Sequence, residues 1–333
     1  MVLRPGLFLN ASHWERAHYP DYTQWCARTD LPDLHFSAIT GAVAQTLTTL
    51  YARAHADAVA VELPRVLKSC DDLNFNSLPE AIAYLGLHLS DRYGRVTQVL
   101  EHLLETGHIP IRRRRTAVLE VGAGPAPSIY AAYCFYLRLQ AYAAQAPRRL
   151  RLAPVDAQVI DIGAAWDEVL HHFSEHLLTQ LGLGPGMGFP LPPFRRTHND
   201  LKSYSAVSTY LMAREQAEQQ LSDDDPDICW DTSATVSDLA LPPRAFDLVF
   251  LTNFLTQLEM TSNFERELED LGRHLTPGGL LCILGGRGGQ YPEIYEALNE
   301  IATRAGLQRL PLRDSFKAGN CSGPSRRGSL ILV

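Results

Sequence analysis

The run Glu120-Val121-Gly122-Ala123-Gly124-Pro125-Ala126-Pro127-Ser128 follows an apolar stretch and precedes a segment rich in alanine and tyrosine. A strand, a glycine turn and a helix in that order make a loop over which a nucleotide-containing cofactor can lie. Two residues narrow the choice. Glu120 puts a carboxylate beside the turn, where a pyrophosphate would be repelled, and Ala126 occupies the third glycine place of a dinucleotide fingerprint. The loop therefore suits a cofactor that carries cationic groups and no phosphate.

The elements that must hold this loop alternate along the second part of the chain, as a doubly wound α/β sheet requires. Strands are expected at residues 117–121, 157–161, 228–230, 246–252 and 280–284, the last introduced by the turn Thr276-Pro277-Gly278-Gly279. Two more at 307–310 and 329–333 complete a seven-stranded, mostly parallel, Rossmann-like sheet, in which the chain is expected to end without a targeting tail. Helices are expected through 131–137, at 164–181 and at 293–305. The Gly/Pro-rich break at 182–190 should open a helical insertion over about 183–225. Before the sheet, residues 39–61 and 78–104 carry apolar positions at helical spacing. The chain thus divides into a helical cap or lid, 1–112, and a cofactor-binding domain, 113–333. The aromatic and polar patch from His13 to Trp25 has no clean period and reads as packing against the main domain.

Composition excludes several classes. The 333 residues are 46% hydrophobic and 20% charged, with no apolar run long enough for a membrane span and an N-terminus too short and too soon polar for a signal peptide, so the cytoplasm is the expected place. Six scattered cysteines without a C-x-x-C pair suggest neither a disulfide framework nor a zinc knuckle. A net charge of −7 counts against a nucleic-acid coat, and the basic knots at Arg112–Arg115, Arg148-Arg149, Arg195-Arg196 and Arg326-Arg327 read as solvated loop surface. No metal is expected. His172-Phe173-Ser174-Glu175-His176 has the spacing of inverted zinc proteases but falls in the helix after strand two, with no third ligand.

In an open parallel sheet ligands bind outside the carboxyl ends of the strands. There Gly122, Ala123, Gly124 and Pro125 let the backbone approach a cofactor closely, and Asp161 is placed to accept two ribose hydroxyls. Asp231, with Thr232 beside it, suits the adenine amino group, and Thr252, Asn253 and Phe254 fall nearest the reactive end. S-adenosylmethionine, with its sulfonium and ammonium, fits this set, its carboxylate facing the positive end of the following helix. The stretch from about Ala117 onward resembles the class I S-adenosylmethionine-dependent methyltransferases. Glu120–Pro125 matches the first motif of that family, Val159-Ile160-Asp161 the second, Phe246–Phe250 the fourth, and Leu275–Leu280 the turn before strand five. Ala83–Val96 is similar to the helical lead-in of methyltransferase-like proteins associated with the ribosomal small subunit, although the cysteine cluster that mitochondrial members use for an iron-sulfur centre is absent.

The resemblance implies an enzyme that transfers a methyl group in line and releases S-adenosylhomocysteine, a reaction that requires alignment and not always a base. Candidate acceptor-side groups are His198 and Asp200 in the insertion, His13 and His18, and Arg287 and Tyr291 in and after the glycine run Gly285-Gly286-Arg287-Gly288-Gly289. The histidines read foremost as surface residues. Strand four is followed by Thr252-Asn253-Phe254-Leu255 and not by an Asn-Pro-Pro-aromatic motif, which counts against methylation of a flipped base or a glutamine amide. The expected acceptor is a small molecule or a short peptide side chain under a helical lid. The rival expectation is an rRNA- or ribosome-associated protein, or a non-catalytic assembly factor that keeps the cofactor fold. The aromatic N-terminus suits contact with a second copy of the chain as well as with its own cleft, so a homo-oligomer stays open.

Overall fold

The computed structural model describes residues 11–54, 56–69, 74–111, 116–145, 155–182, 194–198, 200–203, 246–273, 275–286, 289–310 and 329–332. Six strands occur among them: β1 (Thr116–Val121), β2 (Val155–Ile160), β3 (Arg195–Thr197), β4 (Phe246–Thr252), β5 (Leu275–Gly285) and β6 (Ser329–Leu332). They form one sheet in the order β3-β2-β1-β4-β5-β6, with the first five parallel and β6 antiparallel to β5. Every residue of β1 and β4 is buried, as expected of central strands covered on both faces. Asp247 is buried in β4 because its carboxylate accepts from Ala117 N at 2.9 Å and from Thr276 Oγ1 at 2.5 Å. It thereby joins β1 to the turn that irregularly registers β5 against β4.

Two strand expectations are corrected. The strand beside β2 is Arg195–Thr197, within the stretch expected to be a helical insertion, while residues 228–230 and most of that insertion lie outside the described residues. Residues 307–310 form no strand. They follow a helix that ends in a Schellman motif: Gly306 turns at φ 78°, Leu307 N donates to Ala302 O, and Gly306 N donates to Thr303 O. The side chain of Leu307 then packs beside Gly272, so the apolar run serves a helix end.

Side chains alternate across the sheet. Val118, Val159, Leu248 and Phe250 face one apolar cluster; Leu119, Val121, Val249 and Leu251 face the other. The second cluster is closed by α7 (Leu258–Asn263), α8 (Glu265–Arg273) and α9 (Tyr291–Arg304). The first is closed by α5 (Pro127–Gln145) and α6 (Trp166–Gln180), and outside them by α1 (Ala11–Thr29), α2 (Leu31–Ala54), α3 (Ala56–Ser69) and α4 (Leu78–Glu105). The start of α4 is set by Ser77, whose hydroxyl accepts from Glu80 N, and by Pro79 in the first turn. Within the aromatic patch, Tyr22 and Trp25 are buried against Tyr142 of α5, and Trp25 Nε1 donates to Gln145.

A buried charged network ties these helices together. Arg138 of α5 has no exposed side-chain surface; its Nη2 donates to Glu101 Oε1 of α4 at 2.9 Å and its Nη1 to His35 Nδ1 of α2 at 3.2 Å. Tyr22 of α1 donates to the same Glu101 oxygen. Burial, with the guanidinium beside it, lowers the His35 pKa to about 4, so at neutral pH the imidazole accepts without carrying charge. Removing one partner of such a pair leaves the other buried and uncompensated. Glu101→Gln should therefore lower stability by about 3 kcal/mol, read as a lower urea midpoint at unchanged slope. A midpoint equal to that of the wild type would show that the network contributes nothing.

Candidate functional site

Three loops meet at the carboxyl edge of the sheet, after β1, β2 and β4. In the first, Gly122, Gly124 and Ala126 all take positive φ, at 60°, 51° and 54°. A Cβ on Gly122 would overlap the ring of Phe254, which arrives from the loop after β4, so only glycine fits there. Gly124 lies against Trp166 and Tyr84. The Cβ positions of both glycines are thus faced by the chain's own aromatic rings.

Glu120 is fully buried and points away from solvent. Its carboxyl accepts from Ser128 N at 3.1 and 3.3 Å, from Ser128 Oγ at 2.5 Å and from Ile129 N at 3.2 Å. A residue of the preceding strand therefore caps α5, whose own cap position is occupied by Ala126. Ser128 Oγ lies 2.7 Å from Thr252 Oγ1, which brings the end of β4 into the same network and buries Thr252. Burial pushes the Glu120 pKa up to about 8, outweighing the donors of α5 and the nearby Arg92 guanidinium.

Asp161 joins the first two loops. One carboxylate oxygen accepts from Gly124 N and the other from Gly163 N, each at 2.8 Å. Burial raises its pKa, while the two amides, Arg196 and His198 oppose the shift. Ile162, the next residue, is 55% exposed. Beyond it Arg196 of β3 pairs with Asp167 and donates to Gly163 O, and His198 Nε2 stands 2.6 Å from Asp167 Oδ2. Asp200 accepts from Lys202 N. His198 and Asp200 thus follow the edge strand, about 14 Å from β4 at the usual strand spacing.

The third loop turns at Asn253, a non-glycine residue with φ 51° whose N–H donates to Leu284 O at 2.7 Å. With its amide set so that Oδ1 faces α4, Asn253 accepts from Arg92 Nε at 3.0 Å and from Arg95 Nη2 at 3.3 Å. Arg95 also pairs with Asp91 at 3.1 Å, and the Arg92 guanidinium stands 4.6 Å over the Tyr84 ring. Tyr84 in turn contacts Phe75 and Trp166, and Ala165 N donates to Phe75 O. Helix α4 and the segment before it therefore touch all three loops.

Sequence reasoning did not single out Tyr84, Arg92 or Arg95. A signal existed: Leu85, Leu89, Arg92, Val96, Val99 and Leu103 form one buried helical stripe, and an arginine in that stripe needs a partner.

Gly285 and Gly286 are covered by the ring of Tyr291, and Tyr295 donates to Gly286 O at 2.9 Å. Arg287, Asp231 and Thr232 lie outside the described residues, as do the side chains of His13 and His18. His176 of the H-x-x-E-H run meets Thr49 of α2 at 3.2 Å, and no group of three or more potential metal ligands occurs among the described residues. Cys26, Cys134 and Cys282 are buried and free. No described helix is long and apolar enough to cross a membrane.

Residues 181–283 match a protein family described as a methyltransferase domain, a stretch that runs from the end of α6 through β4 into β5. No curated protein matches the chain. Among solved structures, the CurJ carbon methyltransferase is 11% identical, covers 98% of this chain and 99% of its own, and has a TM-score of 0.38. Human N-acetylserotonin methyltransferase in complex with S-adenosylmethionine is 13% identical over 86% of this chain and 69% of its own, with a TM-score of 0.36. The N-methyltransferase NodS from Bradyrhizobium japonicum is 12% identical over 73% and 94%, with a TM-score of 0.34.

The buried Glu120 carboxyl has a consequence for stability. Its pKa is raised on folding, so its contribution is complete below about pH 4.5 and is lost as pH rises toward 8. Glu120→Gln keeps the acceptor oxygen and removes the ionisation. Between pH 5 and 8 the wild type should lose a few kcal/mol relative to this variant, visible as a growing difference in melting temperature. Parallel melting curves across that range would contradict a neutral, buried carboxyl.

Proposed function

We propose that the chain is a class I S-adenosylmethionine-dependent methyltransferase, a reading supported by the methyltransferase-domain match over residues 181–283, and that its acceptor is a small molecule, or a short peptide side chain, taken up beside α4. When bound, the cofactor supplies a methyl carbon activated by its sulfonium, which the acceptor displaces in line. The chain's own residues bind and orient. Asp161, whose oxygens each retain a lone pair beyond the Gly124 and Gly163 amides, receives the ribose hydroxyls. Ile162 offers an exposed apolar face to adenine, and Asp231 with Thr232 accepts from its amino group. Trp166 Nε1, buried beside Gly163 without a hydrogen-bond partner among the described residues, supports a ligand at this edge. Gly122, Ala123, Gly124 and Pro125 carry the amino-acid half, and Thr252 and Asn253 border the methyl-bearing end. Glu120 acts from beneath by holding α5.

One observation carries the acceptor reading: α4 reaches the loops after β1, β2 and β4 together. A helix walling that edge excludes water and shapes a pocket, which suits a small acceptor better than a duplex. In this reading residues 1–112 are a helical cap on the domain 113–333. Arg287, which follows β5, and Tyr291, the first residue of α9, are the acceptor-side contacts.

Calorimetry tests the cofactor half. Asp161→Ala should weaken S-adenosylhomocysteine at least tenfold, the loss of roughly one charged hydrogen bond; an unchanged Kd would remove Asp161 from the site. Transfer from methyl-labelled S-adenosylmethionine into fractionated cell extract tests the acceptor. Label is expected in the small-molecule fraction. Label confined to RNA, lost at high salt, would replace this reading with the ribosomal one.

A further inference from the structure

The Glu120 carboxyl lies at the inner end of a continuous line of hydroxyl groups. Ser128 Oγ stands 2.5 Å from Glu120 Oε1 and 2.7 Å from Thr252 Oγ1, and all three residues are buried. By the alternation of their strands, Glu120 shares its side of the sheet with Val118, and Thr252 with Leu248 and Phe250. That is the side covered by α5 and α4. The line therefore starts beneath the glycine loop and ends at the tip of β4, on the face where α4 stands.

The two carboxyl oxygens are not equivalent. Oε2 accepts from Ser128 N at 3.1 Å and from Ile129 N at 3.2 Å, whereas the shortest contact of Oε1 is to the Ser128 hydroxyl. A proton on this carboxyl accordingly sits on Oε1, the oxygen that faces the line. Each hydroxyl has one proton and two lone pairs, so the line has two orientations. With the carboxyl ionised, Ser128 donates to Glu120, Thr252 donates to Ser128, and Thr252 Oγ1 is left to accept from a further group. With the carboxyl protonated, both bonds reverse and Thr252 donates outward. One proton passing along the line converts the first orientation into the second.

The acid at the inner end suits such a transfer. Burial pushes its pKa up to about 8; among the groups acting on it, Arg92 of α4 favours ionisation, and Tyr130 of α5 is kept neutral by its own burial. A proton acceptor poised there can take a proton and return it to water near neutral pH. A sulfonium at the tip of β4 would favour the carboxylate, and its conversion to a neutral thioether would withdraw that support as the acceptor's proton becomes available. His198 and Asp200 follow β3, which β2 and β1 separate from β4.

Resting on the methyltransferase reading, in which Thr252 borders the methyl-bearing end, we propose that Thr252, Ser128 and Glu120 form a proton relay, and that the acceptor is of the class that must give up a proton, an O–H or N–H group taken up beside α4. The acceptor atom gains the methyl carbon as that carbon's bond to sulfur breaks, the electron pair remaining on sulfur. The acceptor's proton passes to Thr252 Oγ1, the Thr252 proton to Ser128 Oγ, and the Ser128 proton to Glu120 Oε1. A sulfonium and a carboxylate thus become a thioether and a carboxylic acid, and the proton returns to water along the reversed line after the product leaves.

Proton-linked calorimetry at pH 7, in buffers of different ionisation enthalpy, compares S-adenosylmethionine with S-adenosylhomocysteine. The cationic ligand should release roughly half a proton or more beyond the release seen with the neutral one, and Glu120→Gln should abolish that difference. Methyl transfer into the small-molecule fraction of cell extract, used as the acceptor source, tests the line itself. Ser128→Ala and Thr252→Val should each slow transfer about tenfold or more at pH 7 while the Kd for S-adenosylmethionine stays within about twofold. The deficit should shrink as pH rises, because an acceptor that ionises in water no longer needs the relay. Thr252→Ser should restore the rate. Equal proton release with both ligands would reduce Glu120 to a helix cap and overturn the proposal. So would unchanged transfer, or a deficit independent of pH, in the two hydroxyl variants. Binding of the cofactor without transfer to any fraction would overturn it too, since no proton then has to move. Failure of the wild type to bind either ligand would instead remove the methyltransferase reading on which this rests.

Discussion

The carboxyl group of Glu120 accepts the free amides of α5 from within the sheet, and nearly every feature of the carboxyl edge follows from that contact. Because β1 is buried on both faces, a charged cap placed there is strongly desolvated, and the group moves toward its neutral form while keeping its hydrogen bonds. Holding α5 so close to β1 forces the chain between them through three residues of positive φ, which brings Gly124 N to Asp161 and leaves Gly122 open to Phe254. The hydroxyl of Ser128 extends the same contact to Thr252. One cap therefore coordinates the loops after β1, β2 and β4.

The helices before the sheet belong to this arrangement physically. They share an uninterrupted apolar cluster with α5 and α6, and the Arg138 network crosses from α5 to α4, α2 and α1. Buried ion pairs of this kind add little net stability over apolar packing, but they tolerate no misplacement, since an uncompensated partner is costly. The network fixes the azimuth of α4, and with it the faces on which Tyr84, Arg92 and Arg95 stand. Packing at one end of α4 and site geometry at the other are thus parts of one rigid element.

Much of this was readable from residue order. The glycine loop and the fully buried β4 are local patterns, and each formed where the pattern lay, whereas Pro277-Gly278-Gly279 lies inside β5 as the irregular stretch where its register against β4 shifts. The edge of the sheet was less readable. A strand as short as Arg195–Thr197 has no period to detect, and it is defined by its parallel pairing with β2. The apolar run at 307–310 had strand composition but lay beside a glycine that ends α9, and the helix end claimed it. Glu120 was legible as a carboxylate at a turn, whereas its direction was not, because the pleat that turns it inward is set by the neighbouring strands.

The amino-acid order by itself determined the doubly wound fold class, the glycine loop after β1 and the two acids beside it, since these rest on spacing along a few neighbouring residues. Which groups meet across the edge was decided only in three dimensions. Arg92 lies 161 positions before Asn253, and no local rule links them; they meet because helix packing on one face of the sheet and strand order within it bring their ends together.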